Sequence, residues 1–204
     1  MDDEVRDACQ DDVPAIRTVL ARAYDANPLI RWVFPDDATR AGSTAAWLGP
    51  SIEQYLAVGV VHVALAGSAV VGVAAWRPAG AASAPAGRPA PADVLRGLVG
   101  PTRAAEVLEV LAGTRELAPS TTAAYLNYFA VDPPHQGRGH GARLLGAAPE
   151  GDAWLGTTDP TNVPFYERLG YRTFASRPLG DGPTLTLMAR SGQDGSANQT
   201  TVSP

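Results

Sequence analysis

The chain has no lysine: all sixteen basic residues among its 204 are arginine. Cysteine is nearly missing as well, with Cys9 alone, so no internal disulfide can form and a reducing, cytoplasmic setting is expected. Cys9 reads as a small buried side chain rather than a nucleophile. Histidine is limited to His62, His135 and His140, and no metal is expected. No stretch approaches the roughly 20 apolar residues that cross a bilayer. The opening segment is acidic (Asp2, Asp3, Glu4, Asp7, Asp11, Asp12), unlike a secretory or transit leader. A net charge of −5 and a pI of about 5.1 argue against nucleic acid as a partner, and no membrane partner is expected. Arginine without lysine, beside 21 glycines and 18 prolines, suggests a high-GC bacterial genome, which is a matter of codons and not of chemistry.

What is present suits one domain. Hydrophobic residues make up 45%, enough for a single core at this length. We expect that domain over 1–190 and a disordered polar tail over 191–204. A short strand is expected over 4–8. A helix follows, capped by Asp11 or Asp12, with Pro14 in its first turn and Ile16, Val19, Leu20 and Ala23 on one face. Residues 29–37 read as an aromatic link, and 39–58 as a helix with a possible break at Gly49-Pro50. Apolar runs at 60–66 and 69–77 flank Gly67-Ser68 as a hairpin. Residues 78–92 read as a Pro/Ala/Gly loop and 102–111 as a helix. Strands are expected at 122–131, 154–157, 171–176 and 184–189, with a helix over 162–169 stopped by Gly170.

Chemistry concentrates in 125–171. Residues 125–131 (YLNYFAV) run as a strand into Asp132-Pro-Pro-His-Gln-Gly-Arg-Gly-His-Gly141. Such a glycine-rich turn opening a helix leaves backbone N–H groups unpaired at the positive end of the helix dipole, which suits a pyrophosphate. Gly137, Gly139 and Gly141 lack the G-x-G-x-x-G spacing of a dinucleotide fingerprint. Downstream stands Asn162-Val-Pro-Phe-Tyr-Glu-Arg-Leu-Gly-Tyr171.

Gln136-Gly-Arg-Gly-His-Gly141 together with Asn162-x-x-x-Tyr166 resembles the GNAT superfamily of acyl-CoA-dependent N-acyltransferases. The resemblance spans roughly 4–190, with specific motifs only at 125–145 and 157–174. It implies an α/β (α+β) fold with a mixed, mostly antiparallel sheet of six or seven strands flanked by helices. Residues 78–92 are then a loop within one sheet-bearing domain, not a linker. It implies acetyl-CoA as cosubstrate, with backbone groups of Phe129 and Val131 along the pantetheine arm and residues 136–141 (Gln136, Gly137, Arg138, Gly139, His140, Gly141) at the pyrophosphate. Arg138 and Arg143 could add charge there, although solvated arginine is an equally good reading of Arg143. Asn162 and Tyr166, four apart on a helix, would both face the cofactor. Tyr166 would protonate the leaving thiolate, with aromatic packing as its other reading. The activity implied is acetyl transfer to an amine of a small molecule by direct attack in a ternary complex. A non-catalytic acyl-CoA sensor and transfer to a protein or peptide amine are the alternatives. Monomer and homodimer both remain open.

The proton-accepting group is not legible. Strict alternation places Tyr125, Asn127, Phe129 and Val131 on one face of the central strand and Leu126 and Tyr128 on the other. Asn127 then stands where relatives often carry Glu or His, and an amide cannot take a proton at neutral pH. Water relay, or a carboxylate such as Asp25, Glu53 or Asp159, are the options. His62 lies in an apolar strand and reads as structural, and His135 and His140 fall in the glycine-rich loop. The acceptor pocket is expected from Tyr24, Asp25, Asn27, Trp32 and Phe34, with plain sheet cover as the other reading of Trp32 and Phe34. Only twelve residues separate Gly141 from Trp154, room for about two turns of helix after the loop, fewer than the resemblance implies.

Overall fold

Seven strands form one sheet in the computed structural model, which describes residues 4–81, 89–119 and 123–192. They are β1 (Val5–Asp7), β2 (Val60–Ala66), β3 (Ala69–Arg77), β4 (Ala124–Val131), β5 (Ala153–Thr157), β6 (Arg172–Pro178) and β7 (Thr184–Arg190). Their order is β1-β2-β3-β4-β5-β7-β6. Neighbours run antiparallel except β4 and β5, which are parallel. Most of the tail expected over 191–204, the centre of the 78–92 loop and the first expected residue of the central strand lie outside the described residues.

Two cores sandwich the sheet. On one face, α1 (Val13–Ala23), α2 (Pro28–Val33), α3 (Arg40–Val58), α4 (Pro91–Val99) and α5 (Pro101–Gly113) bury Ile16, Leu20, Val33, Ile52, Leu95 and Val107 against Val61, Val63, Val73 and Ala75. On the other, α6 (His140–Gly146) and α7 (Val163–Glu167) set Leu144, Leu145 and Tyr166 against Ala74, Trp76, Leu126 and Leu155. Because β3 is covered on both faces, its sequence Val-Val-Gly-Val-Ala-Ala-Trp is a continuous apolar run and not an alternating one. Each fully buried Leu or Ile contributes roughly 1.5–3 kcal/mol.

Several elements differ from expectation. The link at 29–37 is largely α2, because Asn27 caps it, its side-chain oxygen accepting from the amides of Leu29 (3.0 Å) and Ile30 (3.4 Å) with Pro28 leading the helix. Pro91 likewise opens α4 inside the expected loop, and Gly100, at φ +80°, separates α4 from α5. Helix α3 runs unbroken through Pro50. Proline cannot donate to the Ala46 carbonyl one turn back; beside that gap the Ala45 carbonyl accepts from Arg17 Nε at 2.9 Å. Gly49 makes room for it, since a Cβ would lie 3.0 Å from that nitrogen. The expected 162–169 helix is shorter, a 3₁₀ turn at Pro160–Asn162 followed by α7.

Asp12 ties the chain start to α1, though not by capping the α1 amides. Its carboxylate takes two bonds from Arg6 (2.7 and 2.9 Å) and one from the Cys9 amide (2.8 Å). The Arg6 hydrogen bonds, foremost, hold this carboxyl well below the usual carboxylate range. A depressed folded-state pKa adds stability that is complete above the unfolded value near 4 and is lost as pH falls below it. Arg6 is partly exposed, so Asp12→Asn should cost about 1–2 kcal/mol at pH 7. The deficit should shrink at pH 3. Urea midpoints measured at both pH values check this, and an equal deficit at both would contradict it.

Candidate active site

The register of β4 against β3 slips by one residue. Ala75 pairs with Tyr128 and Trp76 with Leu126, so Asn127 is the extra residue of a bulge. The slip overturns strict alternation. Ala124 and Leu126 face the α6–α7 core, and after the bulge Phe129 and Val131 face that same core. Tyr128 and Ala130 face the α1–α5 core. Asn127 therefore does not share a face with Phe129 and Val131 by simple periodicity. Its side chain lies near the phenols of Tyr55 and Tyr128 and opposes the rise that burial gives their pKa values, and Tyr128 Oη donates to Ser51 Oγ at 2.8 Å. The rings of Tyr55 and Tyr128 meet edge-on at 5.8 Å.

Just past the bulge the sheet opens. Strands β4 and β5 pair only over Ala124–Leu126 and Ala153–Leu155, after which β5 continues with β7 alone. One edge of β4 beyond Leu126 thus lacks a strand partner among the described residues, and side chains occupy it. Tyr24 Oη accepts from the Phe129 amide and donates to the Phe129 carbonyl, both at 3.1 Å. Gln136 Nε2 donates to the Val131 carbonyl at 2.9 Å.

The glycine-rich loop follows directly. A 3₁₀ turn at Pro133–His135 leads to Gly137 (φ +75°) and Gly139 (φ +86°), and then to α6. Both left-handed positions suit glycine. The amides of Gly137, Arg138, Gly139 and Gly141 donate to no backbone oxygen among the described residues. Gly141 serves packing: a Cβ there would lie 3.2 Å from Phe129 and 3.3 Å from Phe165. The His140 ring is buried, with Arg143 at 3.1 Å from its Nδ1, so the ring is turned away from a ligand in the loop. The His135 ring lies 6.1 Å from that of His140.

Tyr166 is 6% exposed and sits among aromatic rings, with Phe165 at 5.3 Å, Tyr171 at 5.9 Å and Phe129 at 6.0 Å. Burial, before all else, pushes its phenol pKa above the ordinary tyrosine value, with Tyr24 and Tyr171 adding to the shift. Its hydroxyl makes no hydrogen bond among the described residues. Asn162 is exposed at the entry to α7, whereas Tyr166 points inward.

Of the residues expected to build the acceptor pocket, Tyr24 and Asn27 stand together at the sheet opening, whereas Trp32 and Phe34 are engaged elsewhere. Tyr24 is at the β4 edge. Asn27 caps α2 and also accepts from Thr158 Oγ1 at 3.2 Å. Trp32 donates to Asp181 at 2.8 Å and lies under the Arg103 guanidinium at 4.3 Å, which fastens α2 to α5 and the β6–β7 turn. Phe34 is 4% exposed and packs edge-on against Trp47. Asp25 is exposed, its carboxylate 3.9 Å from Arg40. Asp159 spends its carboxylate on the amide and hydroxyl of Thr161, and His62 faces Asp7 at 3.3 Å. Sequence reasoning missed Ser51, Tyr55 and Thr158. Nothing local marks them, since the bulge and the sheet opening bring them into place.

Residues 103–173, from α5 into the start of β6, match a family described as the acetyltransferase (GNAT) domain. That stretch carries the GNAT acetyltransferase match. Solved structures share the fold over nearly its whole length. A Corynebacterium glutamicum protein described as histone acetyltransferase HPA2 and related acetyltransferase is 23% identical, with a TM-score of 0.69 over 99% of this chain and 100% of that one. The arylalkylamine N-acetyltransferase 2 of Aedes aegypti is 11% identical, with a TM-score of 0.63 over 94% and 100%. The PaiA N-acetyltransferase of Thermoplasma acidophilum, solved in complex with coenzyme A, is 12% identical, with a TM-score of 0.56 over 94% and 99%. GNAT acetyltransferases draw their acetyl group from acetyl-CoA, and the open edge of β4 beside the loop fits such a carrier. No described helix is long and apolar enough to cross a membrane.

Proposed function

We propose that this GNAT acetyltransferase moves an acetyl group from acetyl-CoA to the amine of a small molecule by direct attack within a ternary complex. The observation that carries this reading is the opening between β4 and β5, lined by the edge groups of Phe129 and Val131 and followed by the amides of Gly137, Arg138, Gly139 and Gly141, which donate to no backbone oxygen among the described residues. The carrier's arm would add to β4 as a strand does. Its pyrophosphate would take the loop amides, with exposed Arg138 beside them. Gln136 would keep the loop fastened to β4, and Asn162 would lie at the entrance to α7.

Cys9 is exposed, not buried as expected, and is bonded into the turn before α1. It is the chain's one thiol, which favours direct attack over a thiol-borne acyl enzyme. As the amine nitrogen bonds to the thioester carbon, the C–S bond breaks and Tyr166 gives its proton to the departing sulfur. Burial keeps that phenol protonated through neutral pH, and the phenolate left behind takes a proton back from solvent water as the free thiol departs. The amine's surplus proton leaves through water at the hydroxyls of Ser51, Tyr55 and Tyr128, because Asn127 cannot accept it. The Aedes aegypti relative is named for arylalkylamines, and a small organic amine is the acceptor class proposed here. Asn127 also favours a second reading, an acyl-CoA sensor without turnover. Cytoplasmic location fits the single cysteine.

Initial-rate patterns test direct attack. Intersecting double-reciprocal lines are expected, and parallel lines would contradict the ternary complex. Asn127→Ala should lower kcat by roughly threefold to tenfold through lost positioning of Tyr55 and Tyr128. The acidic limb of the pH–rate profile should stay in place. A limb that moves or disappears would put Asn127 in the proton path.

A further inference from the structure

The corner between α1 and α2 straddles the mouth of the sheet opening. Tyr24, at the end of α1, bonds the β4 lip through both polar groups of Phe129. Asn27, three residues on, is bonded to Thr158, the residue following β5, on the other lip. The corner itself is held together, since the Asn27 amide donates to the Tyr24 carbonyl at 2.9 Å. A single phenol engaging both the N–H and the C=O of one strand residue does what a pairing strand residue does. It holds the groups that an incoming amide-bearing arm would need.

We propose that Tyr24 is an intramolecular stand-in for the acyl carrier at Phe129. Its hydroxyl closes the gap in the ligand-free chain and has to leave when acyl-CoA adds to β4. This rests on the acetyl-CoA reading above. It takes Tyr24 out of the expected acceptor pocket and makes it a determinant of carrier affinity. The Asn27–Thr158 contact stays as the hinge, because Asn27 is fixed by its cap on α2.

Tyr24→Phe keeps the ring and removes the competing hydroxyl. Calorimetric titration with CoA should show binding tightened about threefold to tenfold, the worth of one exchanged hydrogen bond. Amide exchange at Phe129 should be faster in the ligand-free variant than in the wild type, and equally slow in both with CoA bound. Equal or weaker CoA affinity in Tyr24→Phe would overturn the stand-in role alone. No CoA binding by either protein would overturn the acetyl-CoA reading and this one with it. Should the variant not fold, 3-fluorotyrosine at position 24 of the otherwise unaltered chain gives the same answer. Its fluorine resonance should move to a solvent-exposed position on saturation with CoA, and an unmoved resonance would overturn the proposal.

Discussion

Tyr166→Phe is expected to lower turnover by roughly 10²–10⁴, the usual worth of a positioned general acid. The hydroxyl has no hydrogen-bond partner among the described residues, so its removal breaks no structural bond. The ring keeps its contacts with Phe129, Phe165 and Tyr171, and the melting temperature should move little. Acetyl-CoA affinity should stay near that of the wild type, because the proton is needed only as the C–S bond breaks. Kinetics and thermal melts on the same preparation separate the outcomes. Near-normal turnover would reduce Tyr166 to an aromatic packing residue, the other reading its surroundings allow.

The second large effect is expected at Gly139. Its φ of +86° disfavours any side chain, and it lies between loop amides that donate to no backbone oxygen among the described residues. Gly139→Glu adds both strain and a negative charge where a pyrophosphate would sit. Acetyl-CoA affinity by calorimetry should fall at least tenfold, about 1.4 kcal/mol. Gly139→Asn tolerates the left-handed conformation without charge and should stay within a few fold of wild type. A folded Gly139→Glu protein with unchanged affinity would remove the loop from the binding site.

The sheet and the glycine-rich loop were legible because both are written in local patterns. Apolar runs marked β2, β3 and β4, and Gly137 and Gly139 marked the turn. The placement of side chains around the loop was not. The β4 bulge at Asn127 leaves no sequence signal, yet it sets Tyr128 toward Ser51 and Phe129 toward Tyr166. The acceptor cluster was read from density of aromatic and polar residues alone. Each member then answered a different structural need: Phe34 the core, Asn27 a cap, Trp32 a clasp across α2, α5 and the β6–β7 turn, and Tyr24 an unpaired strand edge. Composition signals a role for such residues, but only the strand separation after Leu126 and Leu155 determines which groups need partners. Helix α2 was missed for a related reason. Six residues give too little periodicity, and Asn27-Pro28 reads as a stop as readily as a start.

Thiol release from acetyl-CoA against a panel of small amines, amino acids and peptides, with mass spectrometry of the products, tests the acetyltransferase function most directly. Release should require both protein and amine, be fastest with a small organic amine, and yield one N-acetyl product per thiol. Tight acetyl-CoA binding with no amine raising thiol release above the water background would contradict it, and would leave the chain an acyl-CoA-binding module.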